Sequence, residues 1–398
     1  MRIKKYFLCF LLIYFIFHLF SFLFALVLNP IVFWSAKNLF HIGYTFEARG
    51  YGSGDYTYKY IETFWHLCLS FILAFPLNMQ LSQLKDKNIY KALAYFFLVL
   101  LRVYLAFYML VYGFSKVFPF QFPPVHYFRL AQPYGESSPM GLAWTFMQYS
   151  PYYTAFTGLA EIIGGLLLLH RKTVTLGAVI LTGVISNIVM MNFCYDIPVK
   201  LNSMHMLLAA LILLLNDRKR LLTFFIQNKP TAAYEAPYNL KDKRTEKLLE
   251  MVKTGFKLLL FAGIFTAYTL SYIKMSNQEE DNPELFGFYE VKTSDKPVPY
   301  VSFVFETYNG AQIRYTNNEE QKFNSKIDSI AHTIQLFSIE KDSTVTPKEV
   351  SFQYTKTKDG LILNTKDTVK IELKLKTKED FLLTNRGFHW INETPFNR

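Results

Sequence analysis

Residues 92–113 read ALAYFFLVLLRVYLAFYMLVYG, a run of 22 residues with a single charged side chain, Arg102. A helix needs about 20 mostly apolar residues to cross a hydrocarbon layer roughly 30 Å thick, because lipid offers no partner to an exposed backbone N–H or C=O. The run is therefore predicted to be a membrane-spanning helix. The rest of the chain decides whether it is one span among several.

Six further stretches have a similar composition. Together the seven cover about Tyr6–Leu28, Ile61–Leu81, Ala92–Gly113, Tyr152–Leu169, a run from the basic turn 170–172 to Phe193, Ile197–Leu215 and Thr254–Ile273. The first is too long for the apolar region of a signal peptide and lacks a small-x-small cleavage site, so we expect it to be retained. The sequence thus predicts a polytopic α-helical membrane bundle of about seven transmembrane helices.

The composition changes near Ser276, after which charged and apolar residues alternate as in half-buried strands. The alternating segments are Tyr300–Glu306, Gln312–Tyr315, Val350–Tyr354 and Val369–Leu375. Asn309-Gly310 and Asp359-Gly360 are typical hairpin turns. We predict a C-terminal antiparallel β-rich soluble domain, a meander that closes into a small barrel or a sandwich. The final cluster Arg386–Glu393 is expected to be a last strand that packs Trp390 into the core, with a partner-binding tail as the alternative.

These boundaries define a domain organisation. It comprises 1–91 as two N-terminal spans with an outer loop, 92–220 as a four-helix membrane domain, 221–253 as a basic linker, 254–275 as the seventh span and 276–398 as the β-rich domain.

Basic residues between the spans indicate an orientation, since Lys and Arg accumulate on the cytoplasmic side. The basic loops contain Lys85, Lys87 and Lys91, then Arg171 and Lys172, then Arg218, Lys219, Arg220, Lys241, Lys243, Arg244 and Lys247. The opposite loops contain Glu47, Asp55, Glu136 and Asp196. We therefore expect a multi-pass protein of a bacterial inner (plasma) membrane, with its N-terminus cytoplasmic and its C-terminal domain extracytoplasmic.

The formal net charge of +11 does not indicate a nucleic-acid partner, because the basic residues lie between apolar runs and do not form a stripe with aromatics. They are better explained by topology and by contact with the lipid bilayer. The three cysteines form no C-x-x-C pair, and no His, Cys or carboxylate set has metal-ligand spacing, so no metal site is predicted. The sequence contains no catalytic constellation, and it leaves open whether the protein is an enzyme.

Two charges inside the predicted spans suggest a polar site. Arg102 and Glu161 lie near the middle of the third and fourth spans, and a charge at that depth costs a few kcal/mol or more unless it is paired. Adjacent antiparallel helices are expected to bring them together as an Arg–carboxylate pair. The pair would either lock two helices or line a ligand site. Gly164 and Gly165 would let a neighbouring helix or a flat ligand approach closely.

Further polar candidates lie in the outer half of the predicted bundle: His66, Lys116, Asn187, Asn192 and His205. His205 has the widest chemical range, because imidazole can donate, accept or move a proton near neutral pH. A lone membrane histidine is more often a packing partner. The aromatic loop Phe114–Ser150 is expected to be an interfacial belt, with a lid over the polar cluster as the alternative.

Residues 101–217 resemble the DoxX family of small four-helix membrane proteins. The matching features are Arg102, the sequence Gly113-Phe-Ser-Lys116 after one span, and Glu161-Ile-Ile-Gly164-Gly165 before a leucine run. The resemblance covers under a third of the chain, and the outer spans and the β-rich domain look like additions. It implies a subunit of a membrane oxidoreductase assembly, linked to quinone.

Two functions follow as expectations. In the first, the protein is a membrane subunit of a redox assembly with a protein partner, and a quinone is held by a polar cluster of Arg102, Lys116, Glu161, Asn187 and His205. In the second, it is a noncatalytic assembly or partner-binding protein that acts through its outer β-rich domain. A transporter is less favoured, because no inverted pair of interrupted spans is visible.

Overall fold

The computed structural model describes residues 2–48, 54–84, 88–231, 243–279, 284–307, 309–339 and 349–394. The chain folds as two compact units. The helical unit contains residues 1–121 and 152–268, and the barrel unit contains residues 122–151 and 269–398. The predicted division into a helical part and a β-rich part is confirmed. The structure differs in one respect, because residues 122–151 group with the C-terminal domain.

Apolar runs form the long helices. All α-helices of the described residues are numbered in chain order. They are α1 (Arg2–Leu19), α2 (Ser21–Asn38), α3 (Thr57–Gln83), α4 (Ile89–Val117), α5 (Tyr127–Ala131), α6 (Pro139–Tyr149), α7 (Pro151–Leu169), α8 (Val174–Cys194), α9 (Lys200–Asn216), α10 (Arg218–Leu221), α11 (Lys243–Glu279) and α12 (Leu382–Asn385). Helices α5, α6 and α12 belong to the barrel unit, and α11 runs from one unit into the other.

Among the described residues, five helices are long and apolar enough to cross a membrane: α3, α4, α7, α8 and the part of α11 between Met251 and Ser276. Helices α1 and α2 meet the same criterion together but bend by 90°, which describes a broken span or a re-entrant loop. Helix α9 is apolar but shorter, at 17 residues. These helices are consistent with a multi-pass membrane protein.

The first predicted span differs most from the structure. A single helix over Tyr6–Leu28 is wrong, because the backbone leaves helical geometry at Phe20 (φ −115°, ψ 30°) and the chain turns there. Neither Gly nor Pro marks this break, so the pattern of apolar residues gives no warning of it. Pro76 lies inside α3 and Pro30 inside α2, and both helices continue past them.

The core of the helical unit lies where α1, α4, α7, α8 and α9 meet. Its fully buried side chains include Phe15, Leu101, Leu105, Leu168 and Leu181. Burial of such side chains contributes roughly 1.5–3 kcal/mol each relative to exposure in water. In lipid, apolar surface already contacts hydrocarbon, so its burial contributes less to stability. Close van der Waals packing between helices then contributes more. The predicted close approach at Gly164 and Gly165 is confirmed, since an added Cβ at Gly165 would lie 3.1 Å from Met109 Cβ, and one at Gly164 would overlap Leu181.

Among its described residues, the barrel unit contains eight strands in one closed sheet. They are β1 (Gly287–Ser294), β2 (Tyr300–Phe305), β3 (Gly310–Tyr315), β4 (Glu320–Asp328), β5 (Thr333–Ser338), β6 (Glu349–Thr357), β7 (Gly360–Thr365) and β8 (Lys370–Lys376). Each strand pairs antiparallel with the next, and β1 pairs with β8, with Tyr289 opposite Leu375. The structure therefore confirms the antiparallel meander and selects the barrel over the sandwich.

Alternate residues of the strands fill the barrel. The interior is aromatic and aliphatic, with Phe303, Phe305, Ile313, Phe323 and Leu363 all fully buried. An eight-stranded barrel is just wide enough for its side chains to fill it. The predicted hairpin turns are confirmed at Asn309, which has a left-handed backbone (φ 60°), and at Gly360, where a Cβ would overlap the Leu373 carbonyl of the neighbouring strand.

The prediction that Trp390 packs into the core as part of a last strand is wrong. The last strand, β8, ends at Lys376, and the Trp390 side chain is 90% exposed. The physical reason is closure of the sheet, because β8 already pairs with β1 and leaves no edge for another strand.

The orientation of the chain in a membrane stays a prediction. Lys85, Lys87 and Lys241, on which it partly rests, lie outside the described residues, as do Tyr51–Ser53 of the first outer loop.

Candidate functional site

The predicted ion pair between Arg102 and Glu161 is wrong. The Arg102 Nε donates to the Leu168 carbonyl of α7 at 2.9 Å, whereas Glu161 accepts a hydrogen bond from Lys116. The register of the two helices explains the difference. Lys116 follows Arg102 by fourteen residues on α4, which is ~21 Å along a helix axis. Because α7 runs antiparallel to α4, Glu161 lies beside the C-terminal end of α4 and Arg102 beside the end of α7.

Lys116 and Glu161 form a buried charge pair. Their side chains are 8% and 1% exposed. Two glycines permit the close helix contact beside the pair: an added Cβ at Gly158 would lie 2.6 Å from the Gly113 carbonyl, and one at Gly113 would lie 2.7 Å from the Gly158 carbonyl. The second carboxylate oxygen of Glu161, Oε2, has no hydrogen-bond partner among the described residues. One oxygen of a deeply buried carboxylate is thus available to another group.

His205 lies in a different group, which we call the histidine cluster: Tyr14 and His18 of α1, His66 of α3, Tyr104 of α4 and His205 of α9. The rings of His18 and His205 stack with centroids 3.9 Å apart and planes 6° apart. His18 also meets the edge of Tyr104 at 6.1 Å, and its neighbour Phe17 stacks on His66 at 5.5 Å. Four helices therefore bring their polar side chains to one place.

The partners of His205 fix its tautomer. Its Nδ1 lies 2.7 Å from the Leu201 carbonyl, which can only accept, so Nδ1 carries the hydrogen. Nε2 then accepts from the Tyr14 hydroxyl. A neutral imidazole held at both nitrogens has a fixed orientation. The ring face of His205 is thereby held parallel to His18.

Two members of the histidine cluster, His66 and Tyr104, each have a polar atom buried away from solvent. His66 Nε2 and the Tyr104 hydroxyl form no hydrogen bond among the described residues, and both side chains are buried. An unsatisfied buried polar group costs ~1–3 kcal/mol, so such groups call for an explanation. A ligand that accepts hydrogen bonds would supply one.

A row of tyrosines continues along α4 from this cluster. Tyr104, Tyr108 and Tyr112 follow each other at intervals of four residues. The ring centroids of Tyr104 and Tyr108 are 5.1 Å apart, and those of Tyr108 and Tyr112 are 6.1 Å apart. The Tyr112 hydroxyl accepts from Asn202 Nδ2 at 3.2 Å. The row leads from the histidine cluster toward the end of α4 that contains Lys116.

The remaining predicted candidates lie elsewhere. Asn187 is exposed and its amide contacts only the Met191 sulfur at 3.9 Å among the interactions described, so the structure does not bring it to either group. Asn192 is buried and donates to Ser203 at 2.9 Å, which ties α8 to α9. The structure therefore joins Lys116 with Glu161 and places His205 and His66 in the histidine cluster, but it separates both groups from Arg102 and Asn187.

Sequence reasoning missed Tyr14, His18 and Tyr104. Tyr14 and His18 are four residues apart and thus share a face of α1, and Glu62, His66 and Ser70 share a face of α3 in the same way. All three α3 side chains are buried. Polar residues at helical spacing inside apolar runs were the available signal.

Within the part of the chain that the structure describes, no three His, Cys, Asp or Glu side chains lie close enough together to hold a metal ion. The residues that could bind a cofactor are instead hydrogen-bonding side chains that lie among apolar side chains.

Comparison with known proteins identifies a bacterial relative of the chain. A segment of 126 residues, 32% of this chain, is 40% identical to the uncharacterized protein YwoB of Bacillus subtilis and spans 80% of that protein. No family model matches the chain, and no solved structure matches it either. At that identity and coverage, the chain belongs to the same family as YwoB.

Proposed function

We propose that the protein is a DoxX-like membrane subunit of a quinone-linked redox assembly, and that the histidine cluster holds the quinone head group. The observation that carries the proposal is the pair of buried groups that have no hydrogen-bond partner among the described residues, His66 Nε2 and the Tyr104 hydroxyl. A quinone presents two carbonyl oxygens that accept hydrogen bonds, on a flat ring that suits an aromatic surround. The resemblance of residues 101–217 to the DoxX family supports the same cofactor.

The residues of the chain would bind and orient the head group. Tyr104 would donate its hydroxyl hydrogen, and His66 would donate from Nε2. Tyr14 and the Leu201 carbonyl hold His205 rigidly beside them. When bound, the quinone would supply two-electron, two-proton chemistry, with the electrons delivered by a redox partner protein. Lys116 and Glu161, reached along the tyrosine row, would hold a proton near the outer end of α4.

Quinone binding to the purified full-length protein tests this proposal. Tyr104→Phe removes only a hydroxyl that has no hydrogen-bond partner in the described part of the chain, so the variant should be as stable as the parent or slightly more stable. Its affinity for a short-chain quinone should nevertheless fall about fivefold, the equivalent of one ~1 kcal/mol hydrogen bond. Tyr95→Phe, nine residues earlier on α4, is the matched control and should bind as the parent does.

Absence of quinone binding would reject the proposal. Gently extracted protein that retains no quinone, and that shows no saturable binding of added quinone, would remove the histidine cluster as a head-group site.

A second function is a noncatalytic assembly or partner-binding protein that acts through the barrel unit. It is favoured by the filled interior of the barrel, which leaves recognition to the outer surface. Protein partners crosslinked in intact cells should then be lost when residues after Ser276 are removed. An unchanged set of partners would reject this function.

A further inference from the structure

Helix α6 of the barrel unit exposes its apolar residues. Leu142, Phe146 and Tyr149 follow each other at intervals of four and three, which places them on one face of the helix. All three side chains are exposed. Helices at the surface of a water-soluble domain normally turn such residues toward the core.

The opposite side of α6 faces a charged group. Gly141 is buried against the Arg129 guanidinium, where an added Cβ would lie 2.9 Å from both terminal nitrogens. The helix start is well defined, since Ser138 Oγ accepts from the Gly141 N–H at 3.0 Å and Pro139 occupies the first turn. The outward direction of the apolar face is thus a property of an ordered helix.

The C-terminal tail adds a second set of exposed apolar groups. Phe388, Trp390 and Ile391 are exposed, and the rings of Phe388 and Trp390 meet edge to face at 5.0 Å. The Tyr149 hydroxyl donates to the Arg386 carbonyl at 3.3 Å, which links the tail to α6. We call Leu142, Phe146, Tyr149, Phe388, Trp390 and Ile391 the aromatic surface.

The chain itself indicates what covers this surface. Only Ser150 separates α6 from α7, one of the helices able to cross a membrane. The first turn of a spanning α7 lies at the boundary of the hydrocarbon layer, so the end of α6 lies within a few ångströms of that boundary. Trp and Tyr prefer the head-group level, where a ring can face lipid while its polar atom stays hydrated.

We propose that the aromatic surface inserts into the head-group layer of the lipid bilayer and anchors the barrel unit to the membrane. The partner is a lipid surface, bound by α6 lying in the plane of the interface together with the aromatic tail. This inference does not depend on quinone binding.

Site-directed fluorescence on the reconstituted full-length protein tests the proposal. Cys9, Cys68 and Cys194 are first replaced by Ala, and a single new cysteine is labelled with an environment-sensitive fluorophore. Trp390→Cys and Phe146→Cys report on the aromatic surface. Ile330→Cys is the matched control, because Ile330 is 95% exposed and lies in the turn between β4 and β5 of the same unit.

The labelled proteins are placed in phosphatidylcholine–phosphatidylglycerol vesicles that contain a shallow nitroxide-labelled lipid, with iodide as the aqueous quencher. Labels at Trp390→Cys and Phe146→Cys should be quenched by the nitroxide lipid and shielded from iodide. The label at Ile330→Cys should show the reverse. Using two positions keeps the test valid if one substitution disturbs the unit.

Two results would overturn the proposal. Quenching of all three labels by iodide, with no effect of the nitroxide lipid, would show that the surface faces water. Shielding from both quenchers at Trp390→Cys and Phe146→Cys would show that a second copy of the chain, and not lipid, covers the surface.

Discussion

The helical unit and the barrel unit differ in how many ionisable side chains they bury. The barrel interior is filled by aromatic and aliphatic groups such as Phe303 and Phe323. Among the described residues, the helical unit buries several carboxylate and histidine side chains, including Glu161, His66 and His205, whereas the barrel unit buries one carboxylate, Glu306. A polar group inside lipid has a higher free-energy cost than one in a water-facing domain, and it is seldom retained without a role. The comparison favours the helical unit as the place to test for a functional site.

Among the variants predicted here, one that breaks the Lys116–Glu161 pair should lower the stability of the protein most. Lys116→Met removes the partner of a carboxylate that is 1% exposed, and loss of one member of a buried pair costs ~3–5 kcal/mol. We expect a strong loss of thermal stability in detergent, measured by unfolding of the full-length protein.

The double variant Lys116→Met/Glu161→Gln is the control for the pair. It removes both charges, so its stability should lie above that of Lys116→Met alone. If the double variant is less stable than the single one, the two side chains do not act as a pair.

The contact between α4 and α7 should give an intermediate effect. In Gly158→Ala the new methyl group would collide with the Gly113 carbonyl, and backbone atoms move aside at a cost of ~1–3 kcal/mol. Gly183→Ala on α8 is the matched control, because an added Cβ there meets nothing within 4 Å. That variant should be neutral or slightly more stable.

Equal thermal unfolding of the two alanine variants would contradict this prediction. It would show that α4 and α7 can separate without loss, and the Lys116–Glu161 contact would then need another support.

The sequence predicted the classes of structure in both units, and its failures have physical causes. Apolar runs of spanning length predicted the helices, and alternation with Asn309-Gly310 and Asp359-Gly360 predicted an antiparallel meander, with barrel and sandwich left as alternatives. The break at Phe20 was not predictable, because no residue there is unsuited to a helix.

The candidate site was predicted less well, because pairing inside a bundle depends on how far one helix is shifted along another. Counting residues from the ends of the predicted spans put Arg102 opposite Glu161. The structure extends α4 to Val117, which moves Lys116 opposite Glu161. The histidine cluster draws on four helices, and no spacing within one helix specifies which of them meet.

The smallest predicted effect belongs to a charge on the barrel unit. Lys356 beside Glu284, with hydrogen bonds from Ser329 and Tyr354, lowers the pKa of the Glu284 carboxyl from its ordinary 4.5 to about 2. The ionised form is therefore favoured in the folded barrel. Its contribution to stability is full above the ordinary pKa and is lost as the pH falls through about 4.5 toward about 2.

Hydrogen exchange of β6 in the full-length protein measures this effect. Glu284→Gln should increase exchange near neutral pH, and its difference from the parent should shrink toward zero as the pH approaches 2. Lys356→Met should reproduce the same pH dependence, because it removes the largest cause of the lowered pKa. A difference between Glu284→Gln and the parent that is the same at both ends of this range would mean that packing, and not the charge, connects Glu284 to the barrel. The contrast with Lys116 then becomes quantitative, since loss of one partner of a Lys–carboxylate contact destabilises the fold weakly where water solvates the remaining charge and strongly where that charge is left buried in the helical unit.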